Sequence, residues 1–326
     1  MQVFRLEKKR LMPFLRKVMR SYELVAPVKT DLVRFEKIKN PKSICFEKPY
    51  FPVKGFFFKK HQVLFEFDGS RVKIPANNEP ERVFFGLKKC DLNAIIRQDK
   101  VFLEDAEDPY YKASREKSFL LGFHCDEACS EYCFCGSMEL VDFYDLMFYD
   151  KGNHFLVEEG SEKGRFLISK FKEFFKPVPR KITQEEKEIK GTDRLKKNSI
   201  THLYDHPGWQ KDVENCFSCG ACTALCPTCY CFEIHDEVKS SCLSKGCRKR
   251  CWSSCQLQSF TRVAGDHVFR EKREERFKHR IFHQLGYFKE KYGMNLCVGC
   301  GRCIEGCPTR IDFIKTINEM EDEQRE

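Results

Sequence analysis

The chain has 326 residues, of which 41% are hydrophobic and 33% charged, with a formal net charge of +9. That length accommodates two domains with separate cores, and no stretch approaches the ~20 consecutive apolar residues of a membrane-spanning helix. Its 20 cysteines, in a chain whose start (MQVFRLEKKRLMPF) lacks the apolar core of an export signal, exclude a secreted disulfide scaffold and predict a reducing, cytoplasmic setting with thiols used for metal ligation.

Residues 5–20 place apolar side chains at roughly helical spacing, with Pro13 as an interruption. Strand-like runs follow at 63–67 (VLFEF), 71–74 (RVKI), 82–87 (RVFFGL) and 118–123 (SFLLGF). Segments 143–149 and 154–158 flank Asp150-Lys151-Gly152-Asn153, a hairpin turn signal, and 165–176 has the pattern of a closing amphipathic helix. The predicted fold class is α+β. An N-terminal α/β domain spans 1–176, a charged linker 177–200, and a mostly helical, ferredoxin-like dicluster domain 201–326.

Cys90 and Cys125 each follow a predicted strand, at the carboxyl edge where open α/β sheets form binding crevices. Cys133 and Cys135 (YCFCGSM) lie in the loop beyond. Four thiolates there make an additional cubane site, or else two buried thiols beside a reactive C-x-C pair. No spacing rule separates the two.

The second domain is less ambiguous. Cys216, Cys219, Cys222 and Cys226 are followed by Pro227, and Cys297, Cys300, Cys303 and Cys307 by Pro308. Each set reads C-x2-C-x2-C-x3-C-P, the bacterial ferredoxin spacing, in which the fourth cysteine ligates the other cluster. Two [4Fe–4S] clusters are predicted: one on Cys216, Cys219, Cys222 and Cys307, the other on Cys297, Cys300, Cys303 and Cys226. Zinc sites usually space two C-x2-C pairs by a longer loop. The segment between the rulers, 227–296, is long, and its run VFREKREERFKHRIFHQLGYFKEKYG has the pattern of a partly exposed helix. Cys242, Cys247, Cys251 and Cys255 in that segment are either small buried residues on helical faces, the preferred reading, or ligands of another metal; Arg262, Arg270, Arg273, Arg276 and Arg280 are read mainly as a solvated basic face, with raising cluster potentials or docking an acidic partner as the alternative.

A four-thiolate [4Fe–4S] site carries a net negative charge, so three of them lower the total to about +3. Nucleic-acid binding, with clusters or zinc as a structural staple, then becomes the alternative reading rather than the main one. Neither G-x-G-x-x-G nor G-x4-G-K-[ST] occurs, so no flavin or nicotinamide site is expected in this chain, and no catalytic residue is assigned.

The strings FFFKKHQVLFEFD, GLKKCDLNAI, DPYY, YCFCGSM, CPTCYC, WSSCQ, VAGDHVFR and CVGCGRC resemble one family over nearly the whole chain. It contains the β subunit of archaeal cytoplasmic sulfhydrogenase, a NiFe hydrogenase, and the corresponding iron–sulfur subunit of anaerobic sulfite reductase. The resemblance implies a third cluster on Cys90, Cys125, Cys133 and Cys135, with Cys129 left out. Cys229 and Cys231 match the family's CPTCYC string, and because the two ruler clusters already have their ligands they are read as packing residues or as partners of a ligand beside a cluster. The resemblance also implies a non-catalytic electron-transfer subunit that links a terminal catalytic subunit to a flavin/NAD(P)H oxidoreductase subunit. FFFKKHQVLFEFD favours a NiFe hydrogenase as the terminal partner, whereas the ending IDFIKTINEM favours a siroheme sulfite reductase.

Overall fold

The structure is a computed structural model and describes residues 2–197 and 199–324. β1 (Val3–Glu7) precedes α1 (Leu11–Val18), and Pro13 falls in the first turn of that helix, where its missing N–H breaks no intrahelical bond. The periodicity read over 5–20 as one interrupted helix therefore merges a strand with a shorter helix. Next come β2 (Glu23–Lys29), β3 (Val33–Lys37), β4 (His61–Asp68), β5 (Arg71–Lys73) and β6 (Arg82–Leu87). Helices α2 (Lys89–Asp99) and α3 (Pro109–Glu116) lead to β7 (Ser118–Phe123), β8 (Leu146–Asp150) and β9 (His154–Glu159). α4 (Glu162–Lys170) and β10 (Lys176–Val178) close this portion.

Eight strands form one sheet in the order β10-β1-β9-β8-β7-β6-β2-β3. Its centre, β2, β6, β7 and β8, is parallel, and the flanking pairs are antiparallel. β6 and β7 are buried along their whole length, as apolar parallel strands covered on both faces must be. Phe14, Leu15, Leu167 and Phe171 cover one face. Phe57, Leu92, Ile95 and Tyr111 cover the other. Each fully buried Phe or Leu here contributes about 1.5–3 kcal/mol of transfer free energy, an upper figure because the unfolded chain is already partly collapsed.

Beyond the sheet lie α5 (Gln184–Lys187), α6 (Gln210–Asn215), α7 (Ala221–Ala224), β11 (Phe232–Lys239) and β12 (Cys242–Trp252). Helix α8 (Arg273–Phe282) continues through a π-helical turn, His283–Tyr287, into α9 (Phe288–Tyr292), as the periodicity over this run predicts. α10 (Arg302–Glu305) and α11 (Phe313–Glu323) follow. Trp209, Phe277, Phe282, Ile304, Ile314 and Ile317 pack into a separate helical core. In the segment read as a linker, Ile182, Thr192, Leu195 and Ile200 are buried, and Lys187 pairs with Glu158 at 2.9 Å and Asp142 at 2.8 Å.

The expectation of a mostly helical second domain needs correction. Its insert carries the long β11–β12 hairpin, which joins β4 and β5 in a four-stranded sheet of order β11-β12-β4-β5. Cross-strand ion pairs, Arg248 with Asp236 at 2.7 Å and Lys249 with Glu237, line the exposed hairpin. Its base is anchored where Trp252 stacks on Phe58 with ring centroids 5.8 Å apart. Cys242, Cys247 and Cys251 are therefore half-exposed residues of a strand, not of helical faces. Cys251 lies opposite His61, with Sγ 3.2 Å from Nδ1.

Candidate metal centres

The two cysteine rulers adopt the same backbone. Ser218 and Gly299, two residues after the first cysteine of each, have φ of +52° and +65°; Gly220 and Gly301, just after the second cysteine, have φ of +77° and +73°. These left-handed residues curl each loop so that a backbone N–H returns to the first thiol: Ser218 N donates to Cys216 Sγ and Gly299 N to Cys297 Sγ, both at 3.4 Å. Short helices α7 and α10 then carry the third cysteine of each ruler. The threonine after each proline sets its hydroxyl beside the fourth thiol, Thr228 3.1 Å from Cys226 and Thr309 3.4 Å from Cys307.

Cys216, Cys219, Cys222 and Cys307 line one cavity of about 60 Å³, closed by Phe277, Ile281 and Phe313. The fourth cysteine of the second ruler thus faces the first three of the first. In the reciprocal set, Cys226 lies close enough to Cys297, Cys300 and Cys303 for its charge to oppose ionisation of each. Gln284 joins the two chain segments, accepting from Cys297 N at 3.0 Å while its Oε1 is 3.9 Å from Cys226 Sγ. Burial pushes the Cys222 thiol up to about 11 and that of Cys297 up to about 12, so a bare thiolate is disfavoured at either position. Iron ligation would deprotonate both outright.

The N-terminal cysteines converge as well. Cys90 starts α2 after β6, and Cys125 follows β7, so adjacent parallel strands deliver both to the same sheet edge. Cys90, Cys125, Cys133 and Cys135 line one pocket with Lys48, Lys88 and Cys300. Cys129, set aside in the sequence, lines it too, and its Sγ is 3.5 Å from Cys125 Sγ; that hydrogen bond holds the Cys129 thiol down to about 6. The Cys133–Cys135 loop is fixed against the second ruler by Phe134 N donating to Gly299 O at 2.7 Å.

A Cβ on Gly299 would stand 2.6 Å from the backbone N and Cα of Cys135, besides requiring a positive φ. Gly299→Ala is expected to cost about 1–3 kcal/mol and to lower bound iron, read by denaturant unfolding and metal analysis. Unchanged stability would contradict this close approach.

Sequence reasoning missed the buried cations. Arg276 and Arg280, read as part of a solvated face, are each only 8% exposed. Arg276 donates to Gln256 O at 3.0 Å. Arg280 borders the first cavity, and although burial works against its charge, Cys229, Cys226, Cys222 and Cys303 hold the guanidinium firmly protonated. Lys48 Nζ lies 3.6 Å from Cys133 Sγ, 3.2 Å from Cys300 O and 3.1 Å from Glu305. Buried Arg302, within the second ruler, pairs at 2.8 Å with Asp91, the residue after Cys90. Only the crowding of arginine and lysine among cysteines hinted at these positions.

Such cations are what a cluster of net negative charge requires, since buried charge must be paired. Among the described residues, no three or more His, Cys, Asp or Glu side chains form a site for a single metal ion. A cubane instead spreads its thiolates over separate irons, so converging thiols that form no single-ion site suit that group by their chemistry. Arg280→Met should lower the potential of the adjoining site by roughly 60 mV, a tenfold change in a one-electron equilibrium. An EPR-monitored redox titration measures it, and an unshifted midpoint would count against this counter-charge role.

Comparison with known proteins gives two matches. Residues 215–311 match a family described as a 4Fe-4S dicluster domain. Over 302 residues the chain is 33% identical to Sulfhydrogenase 2 subunit beta of Pyrococcus furiosus, covering 88% of each chain. No helix among the described residues is long and apolar enough to cross a membrane. With both rulers inside the matched domain and the likeness running through the N-terminal cysteines as well, the chain belongs to the sulfhydrogenase β-subunit family and carries [4Fe–4S] clusters.

Proposed function

We propose that the chain is the iron–sulfur electron-transfer subunit of a multi-subunit complex, relaying single electrons between a NiFe hydrogenase and a flavin/NAD(P)H-handling subunit. In this reading Cys216, Cys219, Cys222 and Cys307 hold one [4Fe–4S] cluster, Cys297, Cys300, Cys303 and Cys226 a second, and Cys90, Cys125, Cys133 and Cys135 a third. The observation that carries it is one cavity lined by three cysteines of the first ruler together with Cys303 and the last cysteine, Cys307, of the second.

The three sites adjoin in series. Cys300 of the second set borders the N-terminal pocket, and Cys303 borders the first-ruler cavity. Exposed thiols mark both ends, Cys129 at one and Cys219 at the other, which suits entry and exit at two partner surfaces. When bound, the clusters supply reversible one-electron storage. The chain's own residues set its energy: the amides of Ser218 and Gly299 donate to sulfur, and Arg280, Lys48 and Arg302 offset negative charge. Likeness to a sulfhydrogenase subunit over 88% of each chain favours the hydrogenase over a siroheme sulfite reductase as terminal partner.

Purification of the native complex under anaerobic conditions, with its subunits identified by mass spectrometry, tests the assignment. A flavoprotein and a hydrogenase large subunit are expected with this chain. A siroheme protein in place of the hydrogenase would overturn the terminal partner, and a purified chain with no dithionite-bleachable absorbance would overturn the relay itself.

A further inference from the structure

Three cysteines outside the sets above gather at a place of their own. Cys229 and Cys231 follow the first ruler in the string CPTCYC, and Cys255 lies three residues after Trp252, beyond the end of β12. Cys255 is buried two residues beyond Ser253 and lies within electrostatic reach of Cys231. Ser253 N donates to Cys231 O at 2.9 Å, which clips the two segments together. Cys229 lies within electrostatic reach of Cys231, and its sulfur accepts from Gln284 Nε2 at 3.6 Å. Cys229 and Cys231 line a cavity of about 270 Å³ that Lys54, Trp252, Ser253 and Ser254 complete.

Two buried cations converge on these sulfurs. Lys54, 3% exposed, has its Nζ 3.2 Å from Cys229 O and 3.0 Å from Thr223 O, 4.3 Å above the Trp252 ring. Two carbonyls and a ring face are thus the acceptors drawn to it, and no carboxylate of the described residues pairs with it. Arg280 reaches the same thiols from the other side, and its buried Nε has no hydrogen-bond partner among the described residues. Buried cations with so few acceptors, aimed at a group of thiols, need an anion between them. A thiolate-held iron–sulfur cluster has the sign and the ligands to supply it.

We propose that Cys229, Cys231 and Cys255 hold a further iron–sulfur cluster, ligated by three thiolates and countered by Lys54 and Arg280. Its neighbours are Cys226, whose sulfur and that of Cys229 both face the Gln284 side chain, and Cys222, which lies within electrostatic reach of Cys255. The site therefore stands beside both rulers as a branch of the relay. The proposal rests on reading the rulers as cluster ligands, but it fails separately from that reading. Three thiolates leave one iron of a four-iron cluster without a cysteine, a donor set unlike that of either ruler.

The test compares iron and acid-labile sulfide in the anaerobically purified full chain with Cys231→Ser and Cys255→Ala, using Cys242→Ala and Cys247→Ala as controls. Loss of about four iron and four sulfide in the first two variants alone is expected. Full iron retention in either folded variant, or zinc in place of the lost iron, overturns the proposal. Should both variants misfold, the parent protein decides. Cys231 borders an open cavity, so iodoacetamide leaves it unlabelled in the iron-loaded chain and labels it once a chelator has removed iron. Labelling in the iron-loaded chain, or a Cys231–Cys255 disulfide there, overturns the proposal while leaving the ruler reading intact. A chain that binds no iron would overturn both.

Discussion

Replacing Asp91 with alanine is expected to destabilise the protein by about 3–5 kcal/mol, because it leaves a buried arginine without its counter-ion. Asp91 and Arg302 are both fully buried, paired at 2.8 Å with a second contact of 3.2 Å, and Arg302 Nε also donates to Pro49 O at 2.8 Å. Asp91 has a local role as well, since its carboxylate accepts from Lys88 N at 3.3 Å where α2 begins. The pair connects the residue after Cys90 to the residue before Cys303, so it joins the N-terminal thiols to the second ruler. Asp91→Ala should therefore lower iron occupancy at both sites along with stability. Asp91→Asn keeps the shape and part of the hydrogen bonding and should cost less. Denaturant unfolding of the iron-loaded protein measures both variants, and a loss below about 1 kcal/mol for the alanine variant would contradict the account.

The second large effect concerns the exchange of fourth ligands. Cys307→Ser is expected to remove about four iron atoms, from the site of Cys216, Cys219 and Cys222 rather than from that of its own ruler. Paired substitutions reveal which site is lost. If Cys216 and Cys307 serve one cluster, the Cys216→Ser/Cys307→Ser double variant loses no more iron than either single variant. The Cys297→Ser/Cys307→Ser variant then loses about eight. Each ruler holding its own cluster would reverse the two results. The shared cavity of the first set favours exchange.

How far the fold could be read depended on which force shapes each segment. The apolar runs of β6 and β7 are buried on both faces, and such runs are legible without knowledge of their neighbours. The turn at Asp150–Asn153 was legible too, since Gly152 takes a φ of +79° and its N–H bonds to Asp150 at 2.9 Å. β2 was hidden by Pro27, which a strand pattern disfavours. The β11–β12 hairpin was hidden because its strands are charged and exposed, and depend on pairing with β4, far away in sequence.

The cysteine rulers were legible because iron ligation imposes a local spacing. Grouping of the N-terminal cysteines was suggested by their positions at strand ends, and the pocket they line brings all four together along with Cys129. The buried cations could not be read. Arg280 falls in a helix of strongly polar composition, and only the packing of α8 beside the first ruler turns it inward. Lys54 lies in a single 3-10 turn, Val53–Phe56, and Lys48 in an irregular segment, both too short to carry a periodic signal.

Iron and acid-labile sulfide per chain, measured after anaerobic purification, test the central claim most directly. The account predicts iron and sulfide in equal amounts, about twelve of each from the three relay sites and about sixteen with the further site. Zinc with no sulfide would contradict it.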